Sequence, residues 1–189
     1  VIALENLIGK DYLDEEFKSS KTIALQGGGS DLIFPHHEMS AAQSKMINGR
    51  EFAMHYVHAG MIGLDGEKMS KSKGNLVFVS KLVASGRDPM AIRWALMKSH
   101  YRTDRMWTEE LLLQAEREVE ALRTALAKTE VAKTEQLIQS IVDLLADDLN
   151  TPGVIETLNQ WVKRSDLGAH GGDLVALSEA LDSLLGLKF

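Results

Sequence analysis

No cysteine occurs anywhere in the 189 residues, so disulfide stapling is excluded and any site needing thiolate ligands is incomplete within this sequence. Nothing in that composition indicates an oxidising compartment, and a cytoplasmic location is the expectation. Aromatic residues are sparse at 6%, and the net charge is -6, so there is no broad basic, aromatic-studded face for a long nucleic acid. No apolar run approaches the roughly 18 residues that a membrane-crossing helix requires, and no membrane partner is expected. The opening residues Val1-Ile2-Ala3-Leu4-Glu5-Asn6 lack a basic n-region and a cleavage site, so no signal peptide is expected. The chain begins without Met in mid-pattern, as a fragment of a longer protein would. Repeats and low-complexity tracts are also missing. What is present, 44% hydrophobic and 25% charged residues, is the composition of a soluble globular protein with one ordinary domain or two small ones.

The pattern divides the chain. Residues 1–9 read as the end of a helix stopped at Gly9, and 10–21 as a polar, exposed excursion. Thr22-Ile23-Ala24-Leu25 reads as a short buried strand that ends abruptly in a turn at Gln26-Gly27-Gly28-Gly29. Pro35 suits the first turn of a helix running to about Asn48-Gly49, and Tyr56-Val57-His58-Ala59 is the next strand. Strand, glycine turn, helix and strand describe part of a βαβ unit and hence a parallel sheet. From Asp88-Pro89 onward the periodicity is helical. Asp88-Pro89 opens one helical pattern with Ile92, Ala95 and Leu96 on one face, and further helices are expected at 108–128 with Thr108 as cap and at about 133–147, 151–164 and 173–186, forming a bundle.

The segment Glu67-Lys68-Met69-Ser70-Lys71-Ser72-Lys73-Gly74-Asn75 follows the turn-forming Leu64-Asp65-Gly66. Its ammonium and hydroxyl groups suit a polyanion, although composition alone equally describes a solvated lysine-rich loop. A glycine triplet after a strand exposes backbone N–H groups to a ligand, but many such turns hold none. His36-His37 at a helix start is, on its own, more often a capping or surface pair than a metal site. Trp107 and Trp161 read first as core aromatics.

The KMSKS string followed by Gly-Asn resembles the nucleotide-binding loop of class I aminoacyl-tRNA synthetases. GGGSDLIFPHHE at 27–38 and HAGMIGLDGEKMSKS at 58–72 resemble the cysteine-activating branch of that family, which holds the cysteinyl-tRNA synthetases and the ATP-dependent cysteine ligases of mycothiol biosynthesis. The resemblance runs from residue 1 to about 107, with Asp147-Asp148-Leu149-Asn150-Thr151-Pro152 a weaker match.

That resemblance implies an α/β fold: the second half of a Rossmann-like catalytic domain carrying the KMSKS loop (1–75), followed by an α-helical bundle (76–189). It implies ATP, accompanied by magnesium, as a substrate. Lys68 and Lys71 neutralise the phosphates, Lys71 most directly, with Met69, Ser70 and Ser72 completing the loop. Gly29, Ser30 and Asp31 line the ribose, and the backbone of Ile62 meets adenine. It also implies a zinc ion that recognises the cysteine thiolate, with His36 as one ligand and two cysteines upstream, one of them just before Val1. Without those cysteines and the upstream histidine motif, this polypeptide alone is expected to be inactive.

Two departures point to the mycothiol ligases over the tRNA synthetases. Ser40 stands where the synthetases usually have a zinc-binding glutamate, and Gln26 stands where they have histidine before the glycines. Residues 73–189 are acidic and read as a short helical bundle, where a cysteinyl-tRNA synthetase is expected to continue into a further anticodon-recognition region. The expected reaction therefore joins L-cysteine, activated as the adenylate, to the amine of glucosaminyl-inositol, with no tRNA partner. The alternatives are a truncated cysteinyl-tRNA synthetase and a non-catalytic paralogue acting as a binding or assembly module.

Overall fold

The computed structural model describes residues 22–189, and the expectations for residues 1–9 and 10–21 lie outside the described residues. The chain divides into two compact units, Val1–Met61 and Ile62–Phe189.

In the first unit, strand β1 (Ile23–Gly29) and strand β2 (Ala53–Ala59) pair in parallel, joined through helix α1 (Glu38–Asn48). This is the expected strand–helix–strand unit, with three differences. First, β1 does not stop at the glycines. Gly27, Gly28 and Gly29 are strand residues, opposite Val57, His58 and Ala59. Gly29 has φ -73° and ψ 157°, an extended conformation open to any residue, so the triplet gives lateral room rather than a turn.

Second, β1 is not a buried strand. Leu25 is 56% exposed and its sheet neighbours Met54, Tyr56 and Val57 are exposed as well. Parallel strands normally have both faces covered; among the described residues of this unit only one helix accompanies the pair. Third, α1 begins at Glu38 rather than near Pro35, because two short irregular turns, Ser30–Leu32 and Ile33–His37, occupy the entry and Phe34 breaks the helical conformation with φ -133° and ψ 135°. Its exit is as expected: Gly49 adopts φ 68°, and its N–H donates to the carbonyl of Lys45 at 2.9 Å, a left-handed glycine cap.

The second unit contains a small sheet and six helices among the described residues. Strand β3 (Ile62–Leu64) pairs antiparallel with β4 (Glu67–Lys68) and parallel with β5 (Arg105–Trp107). Asp65 and Gly66, at φ 53° and 82°, make the two-residue turn of the β3–β4 hairpin, the conformation for which Asp-Gly is suited. Gly63 is required between its neighbours. A Cβ there would lie 2.5 Å from Met106 Sδ and 2.6 Å from the Glu67 carbonyl oxygen. The helices are α2 (Val79–Ala84), α3 (Pro89–Met97), α4 (Glu109–Leu126), α5 (Glu135–Ala146), α6 (Thr151–Asp166) and α7 (Leu174–Leu185).

The expected Thr108 cap is made, its hydroxyl accepting from the Leu111 N–H at 3.1 Å, and Asp88 caps α3 by accepting from the Met90 N–H at 2.9 Å. Leu112, Ala115, Val119 and Leu122 of α4 bury one stripe against Trp94 of α3 and Leu158 and Trp161 of α6. Trp161 and Trp107 are core aromatics, and the Trp161 indole N–H donates to the Ala132 carbonyl at 2.9 Å. Among the described residues, no helix is long and apolar enough to cross a membrane.

Candidate functional site

The residues singled out from sequence fall on both units. Ile62, Lys68, Met69, Ser70, Lys71 and Ser72 belong to the second; Gly29, Ser30, Asp31 and His36 belong to the first.

The lysine-serine loop starts at the end of β4 and is organised by its own polar groups. The Ser70 N–H donates to Asn75 Oδ1 at 2.8 Å, and the Asn75 amide donates to the Lys68 carbonyl at 3.3 Å. The Lys73 N–H donates to Ser70 Oγ at 3.3 Å, and Ser70 and Ser72 hydroxyls lie 3.2 Å apart. Gly74, at φ 67°, lets the chain fold back so that its N–H reaches the Lys71 carbonyl at 3.2 Å. Met69 packs against the hydrophobic core, which ties one point of the loop down.

The three lysines are not equivalent. Lys73 forms an ion pair with Glu67 at 2.8 Å. Lys71 is exposed and enters no ion pair or side-chain hydrogen bond among the described residues. Lys68 is exposed at the end of β4. An ammonium that is not neutralised by a carboxylate is the one available to an incoming phosphate. Asn75 was part of the sequence motif, but its role as the loop's clasp was not read from it; the signal was an amide side chain directly after a glycine that reverses the chain.

In the first unit, register explains the glycines. Gly28 stands opposite His58 and Gln26 opposite Tyr56, so their side-chain positions share one face of the strand pair. His37, 8% exposed, lies on that face: its Nδ1 is 2.8 Å from His58 Nε2, and its Nε2 is 3.2 Å from Gln26 Nε2. A Cβ on Gly28 would approach His37 Cε1 to 2.8 Å, so the missing side chain is what admits the ring. Tyr56 and His58 rings stack with an interplanar angle of 8°. Sequence reasoning emphasised His36 and missed this His37–His58 pair, although period-two alternation in β2 places Tyr56 and His58 on one face. On Gly29 a Cβ would meet Asp31 Oδ1 at 2.6 Å, so Gly29 and Asp31 are packed together.

His36 is exposed, and Ser40 spends its hydroxyl on the His36 carbonyl at 2.8 Å, one turn back along the helix. Among the described residues there is no group of three or more His, Cys, Asp or Glu able to hold a metal ion. The residues present do not fit zinc by themselves.

Among the described residues, two grooves of about 620 Å³ and 590 Å³ lie between helices of the second unit, the first beside Lys133, Arg164 and His170, the second beside Arg117, Glu118 and Lys163. Neither is lined by the loop residues.

The fold is that of a class I tRNA synthetase-like catalytic domain, mixed α/β with small sheets. The LeuRS–tRNA–LeuAMS ternary complex of Agrobacterium radiobacter has a chain similar over 86% of this chain and 26% of its own, with a TM-score of 0.57 at 14% identity, a likeness of fold alone. The model of the family described as tRNA synthetases class I (C) catalytic domain matches residues 10–117, and the chain belongs to that family. Curated relatives are named L-cysteine:1D-myo-inositol 2-amino-2-deoxy-alpha-D-glucopyranoside ligase. The Nakamurella multipartita protein is 55% identical over 88% of this chain and 40% of its own length. The Rhodococcus jostii protein is 52% identical over 87% and 40%, and the Salinispora tropica protein 50% identical over 88% and 42%. The chain spans about two fifths of the length of these relatives.

Proposed function

We propose that the protein to which this chain belongs activates L-cysteine with ATP and joins it to the amine of glucosaminyl-inositol; what supports this is that its relatives are named as ligases of L-cysteine and this inositol glucosaminide. In the first step the cysteine carboxylate attacks the α-phosphate, and pyrophosphate leaves. In the second the amine attacks the carbonyl carbon of the adenylate, forming the amide and releasing AMP. Both steps depend mainly on positioning and on stabilising charge.

The observation that carries the reading is the loop after β4: it is held in shape by Asn75 and Ser70, and its Lys71 is uncommitted. Lys71 and Lys68 would meet the triphosphate, with Ser70 and Ser72 hydroxyls as further donors and the Met69 anchor fixing the loop's base. Magnesium, travelling with ATP, would neutralise part of the phosphate charge. Gly29, Ser30 and Asp31 would line the ribose, and the Ile62 backbone would meet adenine. The assignment of 1–75 to a Rossmann-like catalytic domain and 76–189 to a helical appendage belongs to this proposal. So does zinc, to which the described residues offer only His36, and no step is routed through it. The relatives being more than twice as long as the matched region, residues 1–189 by themselves are proposed not to activate cysteine.

A full-length preparation offered cysteine, ATP, glucosaminyl-inositol and tRNA together tests the reading. The expected product is the cysteinyl amide of glucosaminyl-inositol. Dominant cysteinyl-tRNA would replace it with a synthetase, and no consumption of ATP with either acceptor would favour a binding module.

A further inference from the structure

The corner between α5 and α6 is held in an unusual conformation. Asp148 and Leu149, neither of them glycine, adopt φ 54° and 56°, the left-handed region that L residues rarely occupy. Two consecutive residues stay there only when their surroundings over-determine them. The corner is fixed by backbone bonds from Leu149 N–H to the Leu145 carbonyl at 3.1 Å and from Asn150 N–H to the Leu144 carbonyl at 3.0 Å. Asn150 Oδ1 caps α6 by accepting from the Gly153 N–H at 3.1 Å.

This conformation aims Asp148 at a turn distant in sequence. Asp148 Oδ1 accepts from the Tyr101 hydroxyl at 2.9 Å and from an Arg102 terminal nitrogen at 2.9 Å. The Asp148 carbonyl oxygen lies 2.8 Å from His100 Nε2, and Arg102 Nε donates to the Tyr101 hydroxyl at 2.8 Å. The His100–Thr103 turn, closed by the Thr103 N–H on the His100 carbonyl at 3.0 Å, runs directly into β5. In β5, Arg105, Met106 and Trp107 pair with Ile62, Gly63 and Leu64, and Gly63 and Leu64 pair in turn with Lys68 and Glu67. Gly63 leaves no slack between Met106 and Glu67. Lys68, the last residue of β4, is the first lysine of the loop.

We propose that Asp148, through Tyr101 and Arg102, is a positioning residue for the phosphate-binding loop, setting where Lys68 emerges by fixing β5 alongside β3, whose other edge carries β4. The inference rests on the nucleotide-binding reading of that loop. Stability is a poor explanation for the network. Asp148 and Arg102 are exposed, and exposed ion pairs contribute little to folding, whereas the backbone strain at Asp148 and Leu149 opposes it. A strained corner kept for weak surface bonds is better understood as fixing geometry.

The test uses the full-length protein with Asp148→Ala, Asp148→Asn and Tyr101→Phe. In cysteine-dependent ATP–pyrophosphate exchange, Asp148→Ala should raise the KM for ATP about tenfold, with the KM for cysteine and the melting temperature little changed. Asp148→Asn retains the Oδ1 acceptor and should restore most of the ATP affinity. Tyr101→Phe, which removes only a hydroxyl, should act in the same direction as Asp148→Ala and add little to it in the double variant. Independently of activity, amide hydrogen exchange at Met69–Gly74 should accelerate in Asp148→Ala. That readout separates the two ideas: an enzyme that activates no cysteine would sink the function yet leave the coupling measurable. Unchanged exchange at 69–74 in both Asp148→Ala and Tyr101→Phe, or a lower melting temperature with an unaltered KM for ATP, would overturn the proposal.

Discussion

The Ser70 amide donates to Asn75 Oδ1 at 2.8 Å, closing the lysine-serine loop across four intervening residues. Because the Asn75 amide also reaches back to the Lys68 carbonyl, one side chain holds both the entry and the middle of the loop. The loop's backbone is thus tied at two points by one of its own side chains, with the Lys71 ammonium left at its exposed edge. Preorganised charge of this kind costs no rearrangement when a developing pyrophosphate needs stabilising.

Lys71→Ala in the full-length protein should therefore slow adenylate formation by about 10²–10³ with little effect on cysteine binding, the usual scale for removing one preorganised stabiliser. Lys73→Ala is the internal control. Its ammonium is already paired with Glu67, so a much smaller loss is expected. Cysteine-dependent ATP–pyrophosphate exchange measures both. Equal effects at the two lysines would mean that the loop acts only through its overall charge.

Gly63→Ala should destabilise the hairpin that launches this loop. The added Cβ meets the Glu67 carbonyl oxygen at 2.6 Å, a backbone atom that cannot turn aside as the Met106 side chain can. Overpacking of this kind costs about 1–3 kcal/mol. Thermal melting with far-UV circular dichroism would read it, and an unchanged midpoint would show that β3 and β4 separate freely.

The helical half was legible because its signals are local. Asp88 and Thr108 cap the helices they announce, Asp65-Gly66 makes its turn, and the period of Leu112, Ala115, Val119 and Leu122 is the buried stripe of α4. The strand half was harder. Nothing local distinguishes a glycine run that turns from one that continues extended, and Gly27–Gly29 continue because β2 offers a parallel partner. Strand β5 was missed for the same reason: Arg105-Met106-Trp107 forms a strand only by pairing with residues more than forty positions away. The loop's residue types were evident from the motif, but the unequal pairing of its lysines depends on where Glu67 sits, which the string does not specify.

Glu118 joins α3 to α4 and should govern stability at the acid end. It accepts from the Lys98 ammonium at 2.7 Å and from the buried Trp94 indole N–H at 2.7 Å. Burial pushes its carboxyl up, but the hydrogen bonds from Lys98 and Trp94 outweigh that and hold it below the usual glutamate range. A depressed folded-state value means that the stabilisation is present above the unfolded value and is lost as pH falls through the folded one. Lys98 and Glu118 are only 17% and 18% exposed, so Glu118→Ala, which strands the indole and the ammonium, should cost about 3 kcal/mol near neutrality. The gap in melting temperature between wild type and Glu118→Gln should be widest near pH 7 and close as pH drops below about 4. A gap independent of pH would mean that packing, and not charge, carries the contribution.

His36 is exposed at the helix entry, Ser40 has turned its hydroxyl to the His36 carbonyl, and the sequence holds no cysteine. One imidazole is not a zinc site, since tight binding needs about four ligands of which at least three come from protein. The 189-residue chain, loaded with zinc and then treated with a chelator, should retain none, and His36→Ala should not alter that result. In the full-length protein the same substitution should lower zinc content and weaken the preference for cysteine over serine if His36 is a ligand there, because serine's hydroxyl is a far poorer partner for zinc than a thiolate. Elemental analysis of both preparations and paired exchange assays with the two amino acids provide the comparison. Stoichiometric zinc retained by the 189-residue chain would contradict the first expectation, and unchanged zinc in the full-length variant would remove His36 from the metal site.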